Sequence, residues 1–292
     1  MFHIVTDTSA NLPWDYTAAH GVTVVPLSYE MRGAEHLEQA GGRFNGAAYY
    51  GAMRSGILAT TSQVPPQRFV DAFRPLLEQG GDILYISMSS GISGSFQSAN
   101  MAAAELREEF PERQITLVDT LAASLGEGLQ VMEAVRSRDY GLTLEATANN
   151  LLNRRRNLCQ LLMVDDLNFL KRTGRVSGAA AFVGSMLGVK PLLKGSPDGQ
   201  LVLSAKIRGR KHAIRAMADR YAELARSTHL QTVGIAHADC PEDAEELAKL
   251  LRAAAKPYDI LTVCYEPVTG AHTGPDALAL FFWGDDDVRS KY

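Results

Sequence analysis

A chain of 292 residues lies in the size range where a single core stops growing and proteins divide into two domains. Its hydrophobic fraction of 46% and charged fraction of 21% are those of an ordinary globular chain and leave little room for a large disordered part. The net charge of −4, with only short basic pieces such as Arg154-Arg155-Arg156 and Arg208 to Lys211, argues against a general nucleic-acid binder, which needs a basic stripe to neutralise phosphates.

The first half of the chain alternates short β-branched runs with longer helical patterns. Phe2 to Thr6 reads as a buried strand, with Asp7-Thr8-Ser9 as a turn or helix cap after it. Because the chain begins almost inside this run, no signal peptide is expected. Val22 to Leu27 is a second strand. A helix is expected over Asn45 to Arg54, capped by Asn45, and another over Pro66 to Leu77. Ile83 to Met88 is a strand, a Ser/Gly loop opens a helix from Gly94 to Glu109, and Ile115 to Asp119 precedes a helix running to Arg138. Strands alternating with helices in this way predict βαβ units and a parallel sheet.

The second half is less regular. A helix over Leu144 to Arg155 leads into the apolar run Cys159 to Val164, and a turn is expected over Lys171 to Arg175. A small-residue helical stretch through Leu187 follows, then strands over Lys190 to Leu193 and Gln200 to Lys206. The remaining pattern predicts a helix Gly209–Ala225, a strand Thr232–His237, a helix Pro241–Ala255 and a strand Ile260–Glu266. The domain boundary is placed near residue 155, giving domains 1–155 and 156–292. Cys159, Cys240 and Cys264 show neither C-x-x-C spacing nor neighbouring ligands, so disulfides and zinc are not expected. No run reaches the roughly 18 apolar residues of a membrane span, and a cytoplasmic protein is expected.

Standard catalytic signatures are missing from the sequence: there is no phosphate loop, no His-Glu-x-x-His, and Gly126-Glu127-Gly128 does not continue into a dinucleotide fingerprint. Gly91-Ile92-Ser93-Gly94-Ser95 fails as a nucleophile elbow because Ser95 stands where glycine is needed. Two hydroxyl-rich loops remain. Ser89 to Ser95 joins a strand to a helix, where free N–H groups and a partial positive charge favour an anion. Thr60-Thr61-Ser62-Gln63 stands before Val64-Pro65-Pro66. Serine and threonine in such places are also ordinary caps and turn formers, and the two readings weigh equally here. Arg208 sits in a basic strand-to-helix junction, and His272 lies in Gly270-Ala271-His272-Thr273-Gly274-Pro275, a glycine-framed loop with no evident packing duty.

Taken together, these segments resemble the DegV family of fatty-acid-binding proteins. The resemblance rests on Ile4 to Ser9 with Asn11-Leu12-Pro13, Thr61-Ser62-Gln63 before Pro65-Pro66, and Ser89 to Ala99. It continues through Val118-Asp119-Thr120 to Gly128, Phe169 to Ser177, Gly188-Val189-Lys190-Pro191 and Gly270 to Pro275, spanning nearly the whole chain in order. Ser95 and Phe96 stand where Thr-Tyr is common, and Thr60 where Lys is frequent.

The resemblance implies an α/β fold, with a mainly parallel sheet flanked by helices in the N-terminal domain and a mixed sheet in the C-terminal α/β domain. It implies a long-chain fatty acid such as palmitate or oleate in an apolar tunnel of the first domain, its carboxylate held by Thr61 and Ser93 near the domain junction, with the second domain closing over the head group. Arg208 and His272 would serve the head group or a partner. Similar proteins present the acid to a separate ATP-dependent fatty-acid kinase. No catalytic residue, cofactor, metal, nucleic-acid partner or stable membrane insertion is expected. Two rivals stand beside this reading: a hydrolase with Ser93 as nucleophile and His272 as base, and a small-ketone binder related to the dihydroxyacetone-kinase substrate subunit.

Overall fold

The computed structural model describes residues 2–38, 44–177 and 188–292. The small-residue stretch expected to be helical through Leu187 lies largely outside them. The chain divides into two compact units, residues 1–43 with 59–155 and residues 44–58 with 156–292. The boundary at 155/156 is thus crossed once more, by a short excursion over 44–58 that the hydropathy pattern does not announce.

In the first unit, β1 (Phe2–Asp7) leads through α1 (Trp14–Ala19) to β2 (Val22–Val25), and a small antiparallel sheet follows, built from β3 (Ser28–Met31) and β4 (Ala34–Leu37). After α2 (Gly46–Arg54), which belongs to the other unit, come β5 (Ala59–Ser62), α3 (Pro66–Glu78), β6 (Asp82–Ser87), α4 (Ser95–Glu109), β7 (Ile115–Asp119), α5 (Leu125–Asp139) and α6 (Leu144–Arg154). β5 pairs with β3, so the small sheet runs β4-β3-β5. The main sheet is parallel, in the order β2-β1-β6-β7.

The two central strands, β1 and β6, are buried on both faces along most of their length, as parallel strands flanked by helices must be. One face packs Ile4, Leu84, Ile86 and Val118 against Val131 and Leu151 of α5 and α6. On the other, Phe69 and Phe73 of α3 meet Tyr85 with ring centroids 5.0 and 5.8 Å apart. In α3, Phe69, Val70, Phe73 and Leu77 are buried, a helical stripe entered through Pro66 at its first position.

The second unit adds β8 (Leu158–Met163), α7 (Asn168–Thr173), β9 (Val176–Ser177), β10 (Val189–Gly195), β11 (Leu201–Arg208), α8 (Arg210–Leu224), β12 (Thr232–His237), α9 (Pro241–Ala254), β13 (Asp259–Cys264), α10 (Pro267–Thr273) and β14 (Leu278–Trp283). Its sheet is mixed, in the order β13-β12-β14-β8-β10-β11-β9. Inside that sheet lies β14, an unbroken apolar strand that pairs antiparallel with both β8 and β12. α8 and α9 cover it through Met217, Tyr221, Leu247 and Leu251.

The excursion is fastened by three side chains of α2. Asn45 caps the helix by accepting from the Ala48 N–H, as its position predicts. Tyr49 and Tyr50 then donate to the carbonyls of Pro267 and Tyr265 at 2.7 and 2.9 Å, and Arg54 bridges Asp239 and Asp276.

Three expectations need correction. Lys171 to Thr173 end α7 instead of forming a turn; the chain turns only at Gly174, whose φ of 70° suits a helix C-terminus. Cys159 and Cys264 both lie in apolar runs that read as buried, yet Cys264 is only half-buried, whereas Cys159 is fully enclosed and its thiol is pushed up to about 12 by burial. His272 lies in the last turn of α10, not in a loop. Its flanking glycines do have packing duties: a Cβ at Gly270 would lie 2.1 Å from the Tyr50 hydroxyl, and Gly274 has φ 76° and backs onto the Phe169 ring.

Candidate functional site

In the parallel sheet, the chain leaves β1 first toward β2 and later returns on its other side as β6. The carboxyl ends of β1 and β6 therefore flank a topological switch point, the edge at which open α/β sheets place their ligands. Three loops meet there: Thr8 to Pro13 after β1, Met88 to Gly94 after β6, and Thr120 to Ser124 after β7. They are tied to one another. The Ser89 N–H donates to Ala122 O at 2.7 Å, the Thr120 hydroxyl to Ser87 O at 2.7 Å, and the Ser124 hydroxyl to Asn11 Oδ1 at 3.4 Å. Asn11, Leu121 and Ser124 all adopt positive φ (54°, 56° and 51°), a strain that side chains accept only where the surroundings hold them in it.

Beneath these loops lies a buried polar network that sequence reasoning missed. Asp7, at the end of β1, accepts from the Tyr85 hydroxyl at 2.7 Å and from the Ser9 N–H at 3.0 Å. The Ser9 hydroxyl sits 2.5 Å from Asp7 Oδ1 and 2.6 Å from Glu127 Oε2. Thr6 bridges Glu127 Oε1 at 2.9 Å and the carbonyl of Ile86. Asp7, Ser9, Tyr85 and Glu127 are fully enclosed. A hydroxyl has one proton, so Ser9 can donate to only one carboxyl at a time, and a proton on one member of the pair would complete the second bond. Burial raises the pKa of Asp7 against the pull of its Ser9 and Tyr85 hydrogen bonds, in line with that count. The signals were present in the sequence as Thr6-Asp7-Thr8-Ser9 and as a glutamate between two glycines. Gly128 lets α5 approach β1's loop, since a Cβ there would meet Ala10 O at 2.5 Å.

Ser93 lies in the loop after β6, half-buried, immediately before α4. Its hydroxyl oxygen accepts from the Ser95 N–H at 3.2 Å, and the hydroxyl donates at 3.1 Å to that of Ser95, which also accepts from the Val64 N–H at 3.1 Å. The Val64 N–H and the Ser93 hydroxyl therefore converge as donors on the Ser95 oxygen. Linked hydrogen bonds of this kind polarise and strengthen one another.

Several backbone donors of the loop are already engaged. The Ser90 N–H goes to Asp119, that of Gly91 to the Ser89 hydroxyl, and those of Ile92 and Ser93 to the Ser89 carbonyl. Thr61, the other expected contact, is half-buried on β5 opposite Tyr29, on a strand rather than at a helix cap.

In the second unit, Arg208 ends β11 and is exposed, its carbonyl within 3.1 Å of the His212 ring. His272 is lowered to about 4, first by burial and then by the charges of Arg175 and Arg172. It is a neutral imidazole at neutral pH and cannot serve as a standing cation there.

The sequence matches the family described as "Uncharacterised protein, DegV family" over residues 1–285. It is 37% identical over 284 residues to a DegV domain-containing protein of Clostridium perfringens, covering 97% of this chain and 98% of the other. Among solved structures, a DegV family protein of Thermus thermophilus, described by its fatty acid binding, is 31% identical with a TM-score of 0.88, covering 97% and 99% of the two chains. DegV of Bacillus subtilis, described as a fatty acid binding protein, is 28% identical with a TM-score of 0.81, covering 97% and 99%. The chain belongs to the DegV family.

Proposed function

We propose that this protein binds a long-chain fatty acid and presents its carboxylate to a separate fatty-acid kinase, with no catalytic residue of its own. The observation that carries the reading is the hydroxyl pair of Ser93 and Ser95. A turn of the Ser93 hydroxyl away from Ser95 would supply a neutral donor at the switch-point edge of the parallel sheet, in a chain similar over nearly its whole length to a Thermus protein described as binding fatty acid. Thr61 is the second carboxylate contact. Neutral donors suit a carrier, because a bidentate arginine would tie down the oxygens that a kinase must reach. The acyl chain supplies the affinity, at about 0.8 kcal/mol per buried CH₂, and the hydroxyls the orientation. In the hydrolase rival, Ser93 needs a base. Its hydroxyl is paired with Ser95, which favours the carrier. Arg208 and His272 are read as serving the kinase step, Arg208 by charge and His272 as a neutral hydrogen-bonding group.

Mass spectrometry of the purified protein tests the ligand class: a released C16 or C18 acid is expected, and a small adduct on His272 would support the ketone-binding rival. Thermal stability should rise with palmitate or oleate and stay flat with ATP, NAD or zinc. Thr61→Ala and Ser93→Ala should each weaken palmitate about tenfold or more, the loss of one hydrogen bond to a charged group. Unchanged affinity with a lowered melting temperature in both would mean that the two residues serve only the fold. Arg208→Ala and His272→Ala should leave affinity within a few-fold and lower phosphorylation by a partner kinase.

A further inference from the structure

Thr61 and Ser93 stand on different sheets of the first unit. Thr61 is on β5 of the small antiparallel sheet, and Ser93 follows β6 of the parallel one. Something must fix their spacing if both are to meet one carboxylate. Only Gln63, Val64 and Pro65 separate β5 from α3. Two hydrogen bonds join that link to the start of α4: the Val64 N–H to the Ser95 hydroxyl at 3.1 Å, and the Gln63 Nε2 to the Ser98 hydroxyl at 3.2 Å. The second is possible because of Gly94. A Cβ there would lie 1.9 Å from Gln63 Oε1, 2.8 Å from Cδ and 3.3 Å from Nε2, so the glutamine amide rests where a side chain would otherwise stand. Gly94 has φ −80°, a conformation any residue adopts, so backbone freedom does not call for glycine here; the seat for Gln63 does.

We infer that Gln63 is a positioning residue of the carboxylate site: seated on Gly94 and bonded to Ser98, it clamps the strand that carries Thr61 onto the helix start that follows Ser93. This rests on the reading of Thr61 and Ser93 given above. The clamp holds the link through its side chain and leaves the ligand contact to the hydroxyls. Gly94 and Gln63 therefore act as one device, and changing either removes the same side-chain tie, leaving the link held by the Val64 bond to Ser95 alone.

Palmitate titration of Gly94→Ala, Gln63→Ala and the double variant tests this, with Ser93→Ala in the same series. Each single change is expected to weaken palmitate about tenfold, comparable to losing a hydroxyl contact. The double variant should be no weaker than either, because the three atoms nearest to an added Cβ all belong to Gln63. Gln63 is exposed, so melting temperatures should stay within about 2 °C of the parent, a change that a purely structural role would exceed. Unchanged affinity in Gly94→Ala, or costs that multiply to about a hundredfold in the double variant, overturns the clamp while leaving the site intact. Unchanged affinity in Ser93→Ala overturns the site and the clamp with it.

Discussion

The two units treat carboxylates near their strand ends in opposite ways. In the first, Asp7 and Glu127 are fully enclosed and bridged by Ser9, with Tyr85 also bonded to Asp7 and Thr6 to Glu127. In the second, Asp239 and Asp276 keep 26% and 38% of their side-chain surface and meet Arg54, while Asp165 meets Arg210 and Lys190, and Asp243 meets Arg210. A guanidinium matches a carboxylate where water still reaches both; in a dry interior a proton and hydroxyls do so without burying a charge. The proposed ligand edge of the first unit follows the dry-interior pattern. Its foundation is held by hydroxyl chemistry, and the same chemistry continues upward to Ser93, so the place proposed for a fatty acid's carboxylate is organised by neutral donors.

The largest effect separating the units should come from the aromatic plug of the second. Tyr50 is fully buried, donates to Tyr265 O and fills the space left by Gly270. Tyr50→Ala should cost about 3–5 kcal/mol, seen as a lower denaturant midpoint. Gly270→Ala should cost about 1–3 kcal/mol by overpacking against the same ring. Equal stability of both variants with the parent would mean that the excursion over 44–58 is not anchored through this contact.

His272 gives the next effect, and its sign is fixed by the direction of its shift. Its folded value of about 4 lies below the ordinary 6.5, so the unfolded chain takes up the proton first as pH falls. Stability from this residue is present above pH 6.5 and is lost as pH falls toward 4, by at most about 3 kcal/mol. His272→Gln should flatten that acid limb in denaturation curves. A limb of unchanged slope would show that other groups control it.

In the first unit the sign reverses. Asp7 is raised by burial, so its contribution is complete below its ordinary value near 3.8 and declines as pH rises through the folded value. Glu127→Gln supplies a permanent donor in place of a proton shared by the acids. The variant should gain on the parent as pH rises, by up to about 1.4 kcal/mol per unit while the pair loses its proton. A constant difference between the two from pH 5 to 9 would show that no proton is shared.

What the sequence revealed divides along the same line. β7 and β12 fall where alternation of apolar runs and caps put them, and α2, α3 and α4 begin within a residue of their Asn, Pro and Gly signals. The pattern works because these elements bury one stripe or both faces. β14 escaped, since Leu278 to Trp283 is a short apolar run with neither period 2 nor period 3.6, and only its antiparallel partners define it as a strand. α10 escaped because Gly270 reads as a breaker until Tyr50, more than two hundred residues earlier in the chain, is seen to need its space. Ser93 and Thr61 stood out by composition and by family resemblance. The supports beneath and beside them did not: Asp7 with Glu127 and Gln63 with Gly94 are pairs distant in sequence, and their meaning lies in contact geometry.

The smallest expected effect closes the contrast between the units. Arg54 donates to Asp239 at 2.6 Å and to Asp276 at 2.7 Å, yet its side chain keeps 37% of its surface, so water and salt screen both pairs. Arg54→Ala should cost about 0.5–1 kcal/mol at low ionic strength, and less than half of that in 1 M salt. The pH-dependent gain of Glu127→Gln should be nearly indifferent to the same salt, since its carboxyl partner Asp7 is also shielded from ions. Denaturation of both variants at two salt concentrations provides the comparison. If the cost of Arg54→Ala holds in high salt, then Arg54 acts by packing and by its hydrogen bond to the Asp239 carbonyl, and the charge contrast between the units is weaker than their ion pairs imply.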